Sequence, residues 1–418
     1  MADISRKQPR PGPADPSGPS SLSGTSVTSG ADRLILDPGL LGGDGPVGLI
    51  TNFTGVRRDL RPIAGGLLEA GIELTSLFGP EHGLLGTAQA GFVEAGDHDP
   101  VTGLPLYDTY RTTPEQQDQL IEKSGVSTLL FDLQDIGVRY YTYIWTMFDL
   151  MQAAGRAGRR FVVLDRPNPL TGLVSAGPLL EPGQESFIGR VPIPLRHGLT
   201  VGELADQLNR TAVADRLGQP IDLDVITADG WSRELWYDET GWAWVPPSPN
   251  IPTLDTAICY AGTGLFEGTN LTEGRGTTRP FETLGAPFCD HRLADAVTER
   301  GLPGVLVRAT SFVPTFHKFV DQTCHGVALH VIDREAFDPL RTSLVIMEVA
   351  GELYPEFGVR EDGDTGIDIP GARGFALDKL WGSPALREAI AARSPLEPLL
   401  PPSTHPTAWI ATPDLLRY

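Results

Sequence analysis

The sequence predicts an α/β protein: a Rossmann-like parallel-sheet domain followed by a smaller mixed α+β domain. Three observations predict it. From about residue 34, short apolar, β-branched runs alternate with longer amphipathic stretches. The β runs are almost continuously apolar, as strands covered on both faces must be. The alternation stops after the Pro-rich VPPSPNIP (245–252). A strand–helix–strand repeat at this spacing needs right-handed crossovers, which make its strands parallel.

The elements follow in order. Residues 8–30 contain 15 Pro, Gly or Ser, and only Leu22 and Val27 suit a core, so residues 1–33 are expected to form a disordered tail. They hold no apolar h-region of a secretory signal. VGLITN (47–52) and IELTSLF (72–78) read as strands. DLRPIAGGLLEA (59–70) between them reads as a helix with Leu67 and Leu68 buried. PEQQDQLIEKS (114–124) is a helix with Pro in its first turn. STLLFDLQD (127–135) contains a buried strand, TYIWTMFDLMQAAGRAG (142–158) is a helix, and RFVVLDRPNP (160–169) starts as a strand. Thr200-Val201-Gly202-Glu203 has capping-box spacing, and IDLDVIT (221–227) adds a strand. These form a catalytic domain over 34–245. Residues 246–418 are the second domain, with strands in 304–316 and 326–333 and helices in 341–357 and 384–393.

Composition narrows the function. Lys and Arg number 33 against 53 Asp and Glu, a net charge of −20, which leaves no basic surface for nucleic acid. No apolar run is long enough to span a membrane. Three scattered cysteines make neither a disulfide framework nor a metal knuckle, and the eight His are dispersed. Neither a metal nor a cofactor is expected. GxSxG, P-loop, HExxH and an early GxGxxG are all missing. The substrate is then expected to be a small polar or anionic molecule handled by carboxylates. The cysteine usage suggests a cytoplasmic protein.

Ligands of an open parallel sheet bind beyond the carboxyl ends of its strands. Four successive strands end in Asn52-Phe53-Thr54-Gly55, Gly79-Pro80-Glu81-His82-Gly83, Asp132-Leu133-Gln134-Asp135 and Asp165-Arg166-Pro167-Asn168. Glu81 is the sharpest candidate, because a carboxyl in a stiff loop after a hydrophobic strand is partly dry and suits a general acid. The competing reading is a helix N-cap or a loop ion pair. Asp132 and Asp135 are candidates for a second catalytic carboxylate, and Arg139 and Tyr141 for holding a polar ligand. In the second domain, the Gly-rich run 264–282 offers Glu267, Asn270, Glu273, Arg275 and Arg279, a mixed donor and acceptor set suited to a sugar or a carboxylate. It is expected to be too polar for a core. Trp231, Trp236, Trp242 and Trp244 serve either as sugar platforms or as core filling.

These segments together resemble the NamZ-type exo-β-N-acetylmuramidases. The resemblance rests on LITNFTGV, SLFGPEHGLLG, LLFDLQDIGVRYYTY, VVLDRPNPLTG, RHGLTVGELA, GLFEGTNLTEGRGTTRPFE and CHGVALHVID, in that order. It implies a glycoside hydrolase whose site lies between a Rossmann-like domain and a smaller one. The implied activity releases N-acetylmuramic acid from the non-reducing end of peptidoglycan fragments. The PEHG glutamate is Glu81, taken as the catalytic acid. Asn52, His82, Arg139, Tyr141, Asp165, Glu267, Asn270, Glu273, Arg275 and Arg279 are the expected substrate contacts. Two alternatives remain: a hydrolase or lyase of another amino-sugar glycoside, and a non-catalytic sugar-binding protein. A binding protein would tolerate Glu81→Gln with affinity kept.

Overall fold

A computed structural model describes residues 26–43, 45–89, 96–361 and 374–418. The first half runs α1 (Gly30–Leu36), β1 (Val47–Thr51), α2 (Ile63–Glu69), β2 (Leu74–Gly79), β3 (Leu106–Asp108), α3 (Pro114–Ser124), β4 (Thr128–Asp132), α4 (Tyr143–Arg156) and β5 (Arg160–Leu164). Then α5 (Val201–Leu208) passes through one π turn into α6 (Ala214–Leu217), followed by β6 (Leu223–Ile226). The six strands form one sheet in the order β3-β2-β1-β4-β5-β6, and every pairing is parallel. Thr51 pairs with Asp132 in register, so the β1 and β4 ends meet at one edge.

Strand alternation explains how the sheet is covered. Leu49, Leu130 and Val162 point into a small core with Leu34 of α1 and Leu67 of α2. Ile50, Phe131 and Phe161 point the other way, into a larger core with Phe148 of α4. Leu67 is fully buried but Leu68 is 38% exposed, so the expectation for Leu68 fails. Adjacent helical residues lie about 100° apart, and this short helix has one apolar face.

The second half contains α7 (Leu254–Thr263), β7 (Thr283–Ala286), α8 (Arg292–Glu299), β8 (Val305–Phe312), β9 (Cys324–Val331), α9 (Pro339–Leu353), α10 (Ala376–Trp381) and α11 (Ala385–Ala391). Its sheet is antiparallel, in the order β7-β9-β8. The larger core continues into this half through Tyr260, Phe281 and Leu344.

Two expectations need correction. The tail does not extend to residue 33; its residues 1–25 lie outside the described residues. Val27 is fully buried, and its carbonyl accepts from Trp242 Nε1 at 2.9 Å. Ser29 caps α1, and a β-carbon on Gly30 would meet Ile226 O at 2.1 Å. Deleting residues 1–33 should therefore destabilise the protein by at least the ~1.5–3 kcal/mol of one buried aliphatic side chain. Thermal unfolding checks this, and an unchanged midpoint would refute it. The run 264–282 is not a polar surface loop either, because Leu265, Phe266, Leu271, Glu273 and Phe281 are all buried.

Candidate active site

The turn after β2 sets the site. Gly83 N donates to Pro80 O at 3.0 Å, which places His82 in the left-handed region at φ +71°. That conformation is costly for a residue with a β-carbon and persists only where the surroundings enforce it. Here the His82 ring is buried, with Nδ1 2.9 Å from Ala88 O. Burial holds its pKa below the ordinary value, against the opposing charge of Glu81.

The Glu81 carboxylate faces two hydroxyls. Thr142 Oγ1 donates to Oε2 at 2.6 Å, and Tyr110 Oη donates to Oε1 at 3.2 Å. Burial, then the Glu81 charge, pushes the Tyr110 phenol far up, so it stays a neutral donor. A hydroxyl can also accept, so this arrangement suits the carboxyl in either protonation state.

Glu81, His82, Tyr141, Glu267 and Arg275 line one narrow cavity, with about 60 Å³ of enclosed space. Ligand pockets are commonly about 300–1,000 Å³, so this cavity is small for a sugar. Roomier cavities of about 370 and 490 Å³ lie elsewhere; Trp236 lines the larger, but none of the expected catalytic residues or substrate contacts lines either. The walls are aromatic: Tyr110, Tyr140, Phe187, Tyr260 and Phe281. Tyr260 meets Tyr140 and Phe281 edge-on, at 5.2 and 4.6 Å between centroids. Tyr140 Oη donates to Tyr260 O and Tyr141 Oη to Pro247 O, which fixes both rings. Arg275 donates to Glu267 Oε1 at 2.6 Å, lies 3.3 Å from Glu273, and places its Cζ 4.9 Å from the Phe281 ring centroid. Its Nε is buried and makes no hydrogen bond among the described residues.

The other predicted residues do not reach this cavity. Arg139 is fully buried, and its guanidinium donates to Pro178 O, Ile193 O, Leu380 O and Trp381 O at 2.7–3.0 Å. It pins three chain segments together with both Nη atoms, and it does not line the cavity. Asp132 is fully buried in a two-point ion pair with Arg166, at 2.6 and 2.9 Å. With Arg166 against Trp242, that pair fills the crevice between β1 and β4 where this strand order usually binds ligands. Asp135 accepts from Gly137 N and pairs with buried His197 at 3.0 Å. Asp165 is fully buried and accepts from Tyr418 Oη, Thr200 Oγ1, Gly202 N and Arg166 N.

Asn52 stands one step behind the site, bonding Thr54 and the Tyr143 hydroxyl. Asn270 clamps Glu356 O and Gly358 N. Arg279 pairs with Glu282, and Glu273 sits behind Arg275. Trp231, Trp236 and Trp242 are core residues.

Sequence reasoning missed Tyr110, Tyr140, Thr142, Tyr260, Ser248 and Ile251 among the lining residues. Tyr140 and Thr142 flank Tyr141 in GVRYYTY, and Ser248 and Ile251 lie in the Pro-rich run, so local signals existed. Phe187 and Ile188 come from an irregular segment with no motif.

The comparisons with known proteins agree with this architecture. The N-terminal profile of exo-β-N-acetylmuramidase NamZ matches residues 47–255, and the C-terminal profile matches 258–401. The peptidoglycan β-N-acetylmuramidase NamZ of Bacillus subtilis is 45% identical over 332 residues, covering 79% of this chain and 78% of that one. Two crystal structures of DUF1343 family proteins from Bacteroides fragilis superpose with TM-scores of 0.75 and 0.65, at 33% and 26% identity. Each alignment covers 88% of this chain and 92% of the other.

Proposed function

This chain belongs to the exo-β-N-acetylmuramidase NamZ family, and on that premise we propose that Glu81 is its catalytic acid and Arg275 its reader of the muramic carboxylate. The protein is a glycosidase of peptidoglycan sugars, releasing N-acetylmuramic acid from the non-reducing end. The observation that carries the assignment of Glu81 is its carboxyl, set on a strained turn against two hydroxyls inside an aromatic cavity. Residues from both halves of the chain line that cavity.

In the reaction, the bond from the anomeric carbon to the leaving oxygen breaks. The Glu81 proton moves to that oxygen, the anomeric carbon takes a hydroxyl from water, and the remaining proton of that water passes to a carboxylate of the site. Aromatic walls suit the apolar faces of a pyranose and exclude bulk water. Glu267 is the second carboxylate on the wall and replaces Asp132 and Asp135 as the candidate partner of Glu81. N-acetylmuramic acid carries a lactyl carboxylate, and of the three arginines among the expected substrate contacts, Arg139, Arg275 and Arg279, only Arg275 lines the cavity.

Cleavage of 4-nitrophenyl N-acetylmuramide beside the N-acetylglucosaminide tests the activity; equal cleavage of both would count against a muramic-specific site. Arg275→Ala should cost muramide cleavage about 1.5–3 kcal/mol, the worth of a charged hydrogen bond, and should hardly change residual glucosaminide cleavage. Parallel losses on both substrates would remove Arg275 from recognition. Among the described residues, no helix is long and apolar enough to cross a membrane. A cytoplasmic place of work is part of the proposal, supported by three buried free cysteines, and cell fractionation tests it.

A further inference from the structure

Behind the cavity wall lies a chain of charges that the hydrolytic step does not use. Lys318 is buried, and its Nζ donates to Glu273 Oε2 at 2.9 Å, Phe266 O at 2.7 Å and Leu271 O at 2.8 Å. His317 Nδ1 lies 3.1 Å from the other Glu273 oxygen. Glu273 is fully buried and faces Arg275 Nε at 3.3 Å, and Arg275 in turn holds Glu267. Signs alternate from Lys318 through Glu273 and Arg275 to Glu267 on the cavity wall. Despite its burial, Glu273 is held far below the usual carboxylate range, with Lys318 the largest opposing cause and His317 and Arg275 adding to it.

The segment that supplies Lys318 is strained. His317, Phe319 and Asp321 all have positive φ, at 71°, 57° and 59°. Three such residues within five are costly and need a compensating role. The same segment grips the Gly-rich run directly, since Thr315 N donates to Gly276 O at 3.0 Å. A buried lysine that only filled space would be replaced by an apolar side chain at little cost. This one instead fixes the carboxylate that lies 3.3 Å from Arg275, an arginine on the cavity wall.

We propose that Lys318, acting through Glu273, is a positioning residue that fixes Arg275 for reading the substrate carboxylate. This rests on the reading of Arg275 given above. Lys318 touches no substrate, so its effect falls on discrimination. The ratio of kcat/KM for 4-nitrophenyl N-acetylmuramide over the N-acetylglucosaminide should fall about tenfold, mainly through a higher KM for the muramide.

The test uses three variants of the full chain: Arg275→Ala, Lys318→Met, and Lys318→Met combined with Glu273→Gln. The double variant removes both buried charges together and guards against the misfolding that an orphaned Glu273 invites. If Arg275→Ala leaves the ratio unchanged, the reading of Arg275 fails and this proposal falls with it. If Arg275→Ala lowers the ratio and the folded double variant lowers it too, the proposal stands. A double variant that folds with an unchanged ratio while Arg275→Ala lowers it, or that does not fold, assigns the pair to structure alone and overturns the proposal.

Discussion

Glu81→Gln should lower kcat for a muropeptide or disaccharide substrate by roughly 10²–10⁴-fold, the usual worth of general-acid assistance. The amide is nearly isosteric and can still accept from Thr142 or Tyr110, so the fold and substrate affinity should survive. With 4-nitrophenyl N-acetylmuramide the loss should be much smaller, because nitrophenolate departs with little protonation. This contrast holds where glycosidic cleavage limits the rate. Equal losses on both substrates would make Glu81 the nucleophile or the base, with Glu267 the next candidate for the acid. Full activity on both would remove Glu81 from the mechanism, and binding without turnover in the parent protein would favour the sugar-binding alternative.

Arg139→Met should leave little folded protein. Three of the four carbonyls that receive its guanidinium are buried and the fourth, Pro178 O, is partly so, and each buried acceptor left unpaired costs about 1–3 kcal/mol. Together they take a large share of the roughly 5–15 kcal/mol that holds a domain folded. Burial pulls the Arg139 pKa down to about 9, so the side chain is still charged at neutral pH and the carbonyls compensate that charge. Arg139→Lys should rescue poorly, since one ammonium cannot reproduce a planar fork toward three segments. Soluble yield and thermal unfolding are the measurements. A variant that folds with a native midpoint and an altered substrate preference would return Arg139 to the ligand-binding set.

Local chemistry made much of the first half legible. Thr113 and Gln116 form the capping box that starts α3, and Thr200 and Glu203 form the one that starts α5; both depend on residues three apart in the chain. The apolar runs at 47–51, 74–79, 128–132 and 160–164 became the inner strands because they can be covered on both faces. The antiparallel half was harder to read. β7 is only Thr283–Ala286, with two small residues, and α7 starts inside what reads as a Pro-rich loop's continuation. Such elements owe their form to β9 and α9, which lie far along the chain.

Sequence by itself determined the parallel strands, the edge at which their polar ends gather, and the PEHG turn that carries Glu81. Each follows from neighbours within a few residues: hydrophobic period, proline stiffness, glycine after a left-handed residue. Only the tertiary structure decided which polar ends face a cavity and which meet the protein. Asp132 and Glu81 both follow apolar strands, yet Arg166 neutralises one while two hydroxyls and a cavity face the other. Arg139 and Arg275 look equally free in sequence, but Arg139 spends its donors on a carbonyl 242 residues away. A buried charge takes its role from its partner, and the partner of a side chain is brought to it by packing rather than by proximity along the chain.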